Sequence, residues 1–445
     1  VDLEPVVEEA FARLEEEGVD AFEVAGISEQ TLSVEAKRQM VESFERSLSA
    51  GIALRVVYRK RLGWSSTMDL SSPEIKKAVK SAVDSAKFSA ETKEAVIASP
   101  QVPSGDFAER VGRSFSEISD DDKIDLALSL ESAAIASDSR ISRVRSPRYE
   151  EVTSAVFIRN SNGISASGRR SMAYLTLQAI ATDKGGSESS YEIGFSPRFE
   201  DLEPKAVAAS AAARAIRKLG SRGMNSAFLP AVFENRAAAS LLGVLAPAFF
   251  ADNVQRNKSP VAKRKGEMVY SELIDIIDDG LLPGGFASFP FDGEGIPSQK
   301  TTIVHGGRIV SWLYDGPRAA IDGAKSTGNC RRTGIVKTPS IGVTNCFIKA
   351  GSSSLKSMVS SAKKGLFVTD LLGVHTANPI TGDFSLGAEG IAIEDGVLDS
   401  PVRGITIAGN VHDIFRDVVA VGNDFVQKGA YASPSIMVKS ISIGG

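Results

Sequence analysis

Apolar residues in the first third of the chain alternate between two periods. Val6, Val7, Ala10, Phe11 and Leu14 recur on one helical face and Gly18 follows, so the pattern predicts a first helix ending before Gly18. Short β-rich runs come next at 21–25 and 31–36, then at 52–58, joined through a basic turn to 62–67. Ser72-Pro73 opens a second helix, with Ser72 read as N-cap, and Ile75, Val79, Ala82, Val83 and Ala86 share one face. Residues 99–104, with Pro100 and Pro103, read as a linker.

Ser119 followed by Asp120, Asp121 and Asp122 reads as the capped start of a helix to about residue 137, the acids suiting the positive end of its dipole. Asn162-Gly163 between 153–159 and 164–167 marks a tight hairpin, and 174–182 and 191–195 continue an antiparallel meander. An Ala-rich helix spans 203–219, and residues 220–223 form a domain boundary. Beyond it come short strands broken by Gly and Pro, plus one helix over 235–250 that is apolar nearly all round and therefore expected to be buried. The expected architecture is α+β. A mixed α/β domain with an antiparallel meander occupies 1–220, with a sub-boundary near 99–118, and a domain rich in antiparallel strands, barrel-like or sandwich-like, occupies 221–445.

Composition narrows the class. With 42% apolar and 24% charged residues in 445, the chain is neither disordered nor fibrous. Its longest apolar run, 241–251, is broken by Gly243 and Pro247 and falls short of the roughly 20 residues that a helical membrane span needs, so no membrane association is expected. The acidic start has no signal-peptide pattern and the two cysteines suit a reducing compartment, so a cytoplasmic location is expected. The absent initiator Met leaves trimming and an alternative start codon open. A net charge of −4 argues against direct nucleic-acid binding.

Candidate chemistry is sparse. Gly323-Ala324-Lys325-Ser326-Thr327 lacks the Gly before Lys that a phosphate loop requires, and the surroundings of Ser385 lack the spacing of a nucleophile elbow. The basic loop at Lys263, Arg264 and Lys265 reads as solvated surface. His305, Cys330, Cys346, His375 and His412 are the whole supply of imidazole and thiol, and no two have the close spacing usual for zinc ligands. Asp292 and Glu294 in a glycine-flanked turn read either as an acid–base pair or as a loop in which Asp292 bonds its own backbone. Asp275, Asp278 and Asp279 read as a strand end and turn.

Three strings are more specific: 278–285 (DDGLLPGG) leading into 291–298 (FDGEGIPS), then 378–390 (NPITGDFSLGAEG), then 401–404 (PVRG) followed by 407–410 (IAGN) and 421–424 (VGND). In order and spacing they resemble the TldD/PmbA family over essentially the whole chain. That resemblance implies a cytoplasmic complex of a TldD-type metallopeptidase subunit with a PmbA-type (TldE) companion, in a family once described as modulators of DNA gyrase. TldD-type chains carry a His-Glu-x-x-x-His string and a late cysteine, the histidines and thiolate binding zinc and the glutamate acting as general base on its water. Here the string aligns with residues 242–247, so Leu242 and Pro247 stand at the histidines and Gly243 at the glutamate. No cysteine follows Cys346.

The resemblance therefore implies a companion subunit without catalytic residues or metal of its own, zinc being expected only in the partner. It also implies a homodimer when isolated, a heterodimer with a TldD-like subunit, and unfolded peptides as substrates. Asp292, Glu294, His375, Asn378, Thr381, Asp383 and Glu389 are candidate peptide-cleft residues, with turns that hold the sheet as the alternative role. Two other readings stay open: a self-sufficient hydrolase using carboxylates or a dispersed metal site, and a gyrase-associated regulator acting by protein contact.

Overall fold

The computed structural model describes residues 2–107 and 114–445. The sub-boundary expected near 99–118 includes residues 108–113, which lie outside the described residues. Helix α1 (Glu4–Glu15) precedes β1 (Ala21–Lys37), β2 (Met40–Tyr58), β3 (Arg61–Thr67) and α2 (Ser72–Phe88). Helix α3 (Asp120–Ser137) leads to β4 (Ile141–Asn160), β5 (Ser165–Asp183), β6 (Gly186–Ser196) and α4 (Pro204–Arg217). These six strands make one antiparallel sheet in the order β3-β2-β1-β4-β5-β6.

The strands run longer than their hydrophobic patterns. The runs at 21–25 and 31–36 belong to one 17-residue strand, β1, and 164–167 joins 174–182 within β5. Polar Ser28, Glu29 and Gln30 interrupt the alternation, but pairing with β2 on one side and β4 on the other satisfies their backbone. Local turn signals hold: Arg59 and Lys60 sit at φ 49° and 61°, and Gly163 at 97°. Ser119 caps α3, its Oγ accepting from Asp122 N at 3.1 Å. Ser72, by contrast, is not the N-cap. Ser71 holds that position and Ser72 is the first helical residue, with Pro73 second.

Period-2 alternation splits the sheet into two faces. Phe22, Val24, Leu54 and Val56 pack beneath α1 and α2, while Leu32, Val34, Leu175 and Leu177 pack beneath α3 and α4. Each such side chain contributes about 1.5–3 kcal/mol on full burial. The opposite face, carrying Glu23, Ala25 and Ile27, turns toward the second half of the chain, where Ala25 and Ile158 contact Phe291.

The second half contains β7 (Ala227–Phe233), α5 (Asn235–Leu245), α6 (Ala251–Gln255), β8 (Ile276–Asp279), β9 (Lys300–His305), β10 (Arg308–Ile309) and α7 (Gly316–Asp322). β11 (Cys330–Arg331), β12 (Ser340–Ile341), β13 (Cys346–Ile348), α8 (Leu355–Ala362), β14 (Gly365–Leu372), β15 (Asp383–Glu394) and β16 (Val397–Asn410) follow. The chain ends with α9 (Val411–Arg416), β17 (Val418–Val421), β18 (Val426–Gln427), β19 (Tyr431–Ser433) and β20 (Ile436–Gly444). One sheet runs β16-β15-β14-β7-β20-β17, and an extra β16–β20 pairing closes five of its strands into a barrel. Its strands are antiparallel except at β7–β14. A second sheet runs β10-β9-β8-β13-β19-β18. The fold is α+β, and its β-rich half is barrel-like.

The apolar helix is shorter than its pattern. It ends at Leu245, and Ala246–Phe249 forms a 3₁₀ turn around Pro247, which lacks the N–H that continuation requires. Ala237, Ala238, Leu241, Leu242 and Leu245 are buried in the main core of this half.

Candidate functional site

Residues of α5 at helical spacing, Arg236, Ala239, Ser240, Gly243 and Val244, form one wall of an open cleft of about 550 Å³. The loop at Val374, His375 and Ala377 and the segment from Lys428 to Tyr431 complete it. Gly243, one of the three positions that the resemblance aligns with a metal string, lines this cleft. A Cβ there would touch the Tyr431 ring at 3.5 Å, so Gly243 faces that ring at ordinary contact distance. Leu242 is fully buried in the core and Pro247 lies in the 3₁₀ turn.

The cations of this cleft are tied down. Arg236 Nη2 lies 2.6 Å from Glu192 Oε1, and Lys428 Nζ lies 3.3 Å from the same oxygen. Ser210 Oγ donates to Glu192 Oε2 at 2.6 Å. Burial alone would raise this carboxyl, but Arg236, Ser210 and Lys428 hold it below the usual range. A carboxylate from β6 thus fixes two side chains of the cleft from across the junction of the two halves.

The residues singled out from the sequence divide into three places. His375 is exposed and lines the cleft. Asn378, Thr381 and Asp383 form a brace next to it. Thr381 Oγ1 donates to Asp383 Oδ2 at 2.7 Å, Asn410 Nδ2 donates to Asp383 Oδ1 at 2.8 Å, and Asn378 Oδ1 accepts from Ile380 N at 2.9 Å. Bonds from Asn410 and then Thr381 keep the Asp383 carboxyl below its ordinary range. Glu389 lies elsewhere, 2.8 Å from Lys218, in a network where Arg214 meets Glu234 at 2.6 Å and Asp370 at 3.1 Å. That network ties α4 and the residue after it to the barrel.

Asp292 and Glu294 occupy a third place, buried between the two halves. Asp292 Oδ1 accepts from Glu294 N at 2.9 Å and Ile296 N at 3.0 Å, and its Oδ2 accepts from Cys330 N at 3.0 Å. Burial beside Glu294 pushes its carboxyl up to about 8 against these bonds. Glu294 lies 2.5 Å from Arg55, which also meets Glu23 at 3.0 Å, and Arg332 closes the chain of charges at Glu23. Glu23 and Arg55 are direct cross-strand neighbours of β1 and β2. Sequence reasoning singled out Asp292 and Glu294 but missed their partners Glu23, Arg55 and Arg332 and the clamp of Arg236 and Lys428 on Glu192, because these residues are far apart in the chain and no local pattern joins them.

The donor set does not fit a bound metal. Leu242, Gly243 and Pro247 offer no side-chain lone pair. His305 is exposed beside Asp275 at 3.1 Å, whereas buried His412 bonds through Nδ1 to the Tyr270 hydroxyl at 3.0 Å and is pushed down by burial. Cys330 and Cys346 are buried free thiols that burial pushes well up. Among the described residues, no three His, Cys, Asp or Glu side chains converge as a metal site. Asp278 is a buried member of β8, receiving Thr344 N at 2.7 Å and Asn329 Nδ2 at 2.7 Å.

Profiles described as the PmbA/TldA metallopeptidase domain 1, central domain and C-terminal domain match residues 22–86, 113–219 and 226–445. The chain is 29% identical over 427 residues to a protein of Escherichia coli named metalloprotease PmbA, covering 96% of this chain and 92% of that one. A crystal structure from Thermotoga maritima, described as a proposed modulator of a DNA gyrase, is similar over the full length of both chains, with a TM-score of 0.89 and 26% identity. TldE from Thermococcus kodakarensis shares the fold, with a TM-score of 0.85 at 21% identity over the full length of both. The chain belongs to the PmbA/TldD metallopeptidase family.

Proposed function

We propose that this chain is the PmbA/TldE-type companion of a TldD-like metallopeptidase in peptide proteolysis. It contributes stability and part of a peptide-holding surface, and the partner supplies the zinc. The observation that carries this reading is the α5 wall. At the family's metal string it presents a core leucine, a glycine facing Tyr431 and a proline that ends the helix. The cleft beside it is large enough for a few residues of extended peptide, and β18 at its rim is the last strand of its sheet, a place where strand addition gives grip with little sequence preference.

The same reading makes the isolated chain a homodimer, the complex a heterodimer, and both cytoplasmic. No helix among the described residues is long and apolar enough to cross a membrane. The test is to assay peptide hydrolysis and zinc content for the chain alone and after mixing with a subunit carrying an intact His-Glu-x-x-x-His string. Turnover and zinc only in the mixture are expected. Chelator-sensitive cleavage by the chain alone would overturn the companion role and favour a self-sufficient hydrolase.

A further inference from the structure

A second cavity, of about 360 Å³, lies on the helix-free face of the six-stranded sheet, where the segments around Phe289 and Ile335 fold over it. Strand register makes it readable row by row. Ser49, Glu29, Ser154 and Arg170 stand side by side across β2, β1, β4 and β5, and the next row is Gly51, Ile27, Val156 and Gly168. The glycines keep that second row flat. A Cβ on Gly168 would meet Phe289 at 2.8 Å, and one on Gly51 would meet Ile335 at 2.8 Å. Ile27, Val156 and the edge-to-face pair Phe289 and Phe291, with centroids 4.9 Å apart, give the cavity an apolar body.

Its charge is unbalanced. Arg170, Arg331 and Arg332 all line it. Arg332 is neutralised by Glu23 and donates from Nε to Gly293 O at 2.6 Å, yet its Nη1 is buried with no hydrogen-bond partner. Arg170 donates to the Phe286 carbonyl and forms no ion pair among the described residues. Burial disfavours its charge, and Arg331 repels it. Glu29, in the same row, is exposed and stands two strands from Arg170, roughly 10 Å at the usual strand spacing. Asp292 is already satisfied by three backbone N–H groups. A half-buried guanidinium without an anionic partner is costly, and its planar fork of donors matches the two oxygens of a carboxylate.

We infer that this cavity binds a carboxylate carried on an apolar body, the acid meeting Arg170, Arg331 and the free Nη1 of Arg332, and the body resting on Ile27, Val156, Phe289 and Phe291. The volume, near the small end of ligand sites, suits one or two residues. The ligand is either the C-terminus of a peptide ending in an apolar residue or a small free acid of that shape. This site is separate from the α5 cleft and does not depend on the companion reading, since it is tested on the isolated chain.

Calorimetric titration of the full chain with N-acetyl-L-phenylalanine, with its amide, and with a heptapeptide ending in Phe tests it. The acid is expected to bind about tenfold or more tightly than the amide, as loss of one charge-assisted contact implies. Arg170→Gln and, separately, Arg331→Gln are expected to remove that preference with the unfolding midpoint nearly unchanged, and Arg170→Lys to restore part of it. Equal binding of acid and heptapeptide identifies a peptide terminus, and binding of the acid alone identifies a small free acid. No binding of either at millimolar concentration, equal binding of acid and amide, or full binding by both folded glutamine variants would overturn the inference.

Discussion

Glu294 is buried and joins the two halves of the chain, so its removal makes a quantitative test. Its carboxylate lies 2.5 Å from Arg55 Nη2 and accepts from Gly316 N at 2.7 Å. Burial works against the Arg55 charge, but Glu23 and Glu294 drive its pKa above the ordinary value. Two unit charges about 4 Å apart attract by about 4 kcal/mol at an effective dielectric near 20. Desolvation cancels much of that in the intact pair, yet deleting one partner strands the other, which typically costs about 3–5 kcal/mol. Glu294→Gln should fall near the lower end, because Arg55 retains Glu23 at 3.0 Å. Arg55→Met should cost more, since it leaves Glu294 without a cation. The double variant should be less destabilised than the sum by about 2 kcal/mol, the signature of direct coupling. Urea unfolding at pH 7, followed by fluorescence of Trp64, whose ring lies under Arg332 at 5.8 Å, reports on this junction. Single variants within about 0.5 kcal/mol of the parent, or strict additivity in the double, would refute this account of the junction.

Three further outcomes follow from particular contacts. Asp315 caps α7 through Arg318 N at 2.9 Å, and burial raises its carboxyl to about 6. The folded state therefore holds a proton that the unfolded state releases, and stability should fall as pH rises from about 4 to about 6, by up to about 1.4 kcal/mol per unit. Asp315→Asn keeps the cap and should flatten that slope in thermal melts; an unchanged slope would refute the assignment. Gly63→Ala places a Cβ 2.2 Å from Ala82 O and 2.4 Å from Ala86 N, so α2 must lift from β3, at a cost of about 1–3 kcal/mol in chemical denaturation. An unperturbed midpoint would show that the helix yields freely. Residues 40–51 of β2 lie beyond the reach of β3 and expose Met40 (66%), Phe44 (38%) and Leu48 (61%) along that free edge. Leu48→Glu should weaken self-association in analytical ultracentrifugation, and an unaltered mass distribution would exclude this edge from the interface.

Local signals in the chain were enough for several features that depend on a few consecutive residues, although the cap of α2 falls on Ser71 and not on Ser72. Helical spacing placed α1 and α2, the hydroxyl of Ser119 marked the start of α3, and Asn162-Gly163 fixed the β4–β5 turn, because each is decided by backbone sterics and bonds within a turn or two. The apolar pattern over 235–250 overran the end of α5 at Leu245, because Pro247 withholds the N–H that a further helical turn needs. That Leu242, Gly243 and Pro247 carry no side-chain lone pair is a matter of residue type alone and needed no coordinates. Strand length was not legible in the middle of β1, where polar residues are held by neighbours on both sides rather than by their own pattern. Nor could the sequence distribute the seven candidate cleft residues. Only the closing of the barrel and the docking of its loops on the helix-free face of the sheet put His375 in a cleft, Glu389 on Lys218 and Glu294 on Arg55. Ion pairs and cavities between residues hundreds of positions apart are set by how whole sheets pack, and one-dimensional spacing carries no record of that distance.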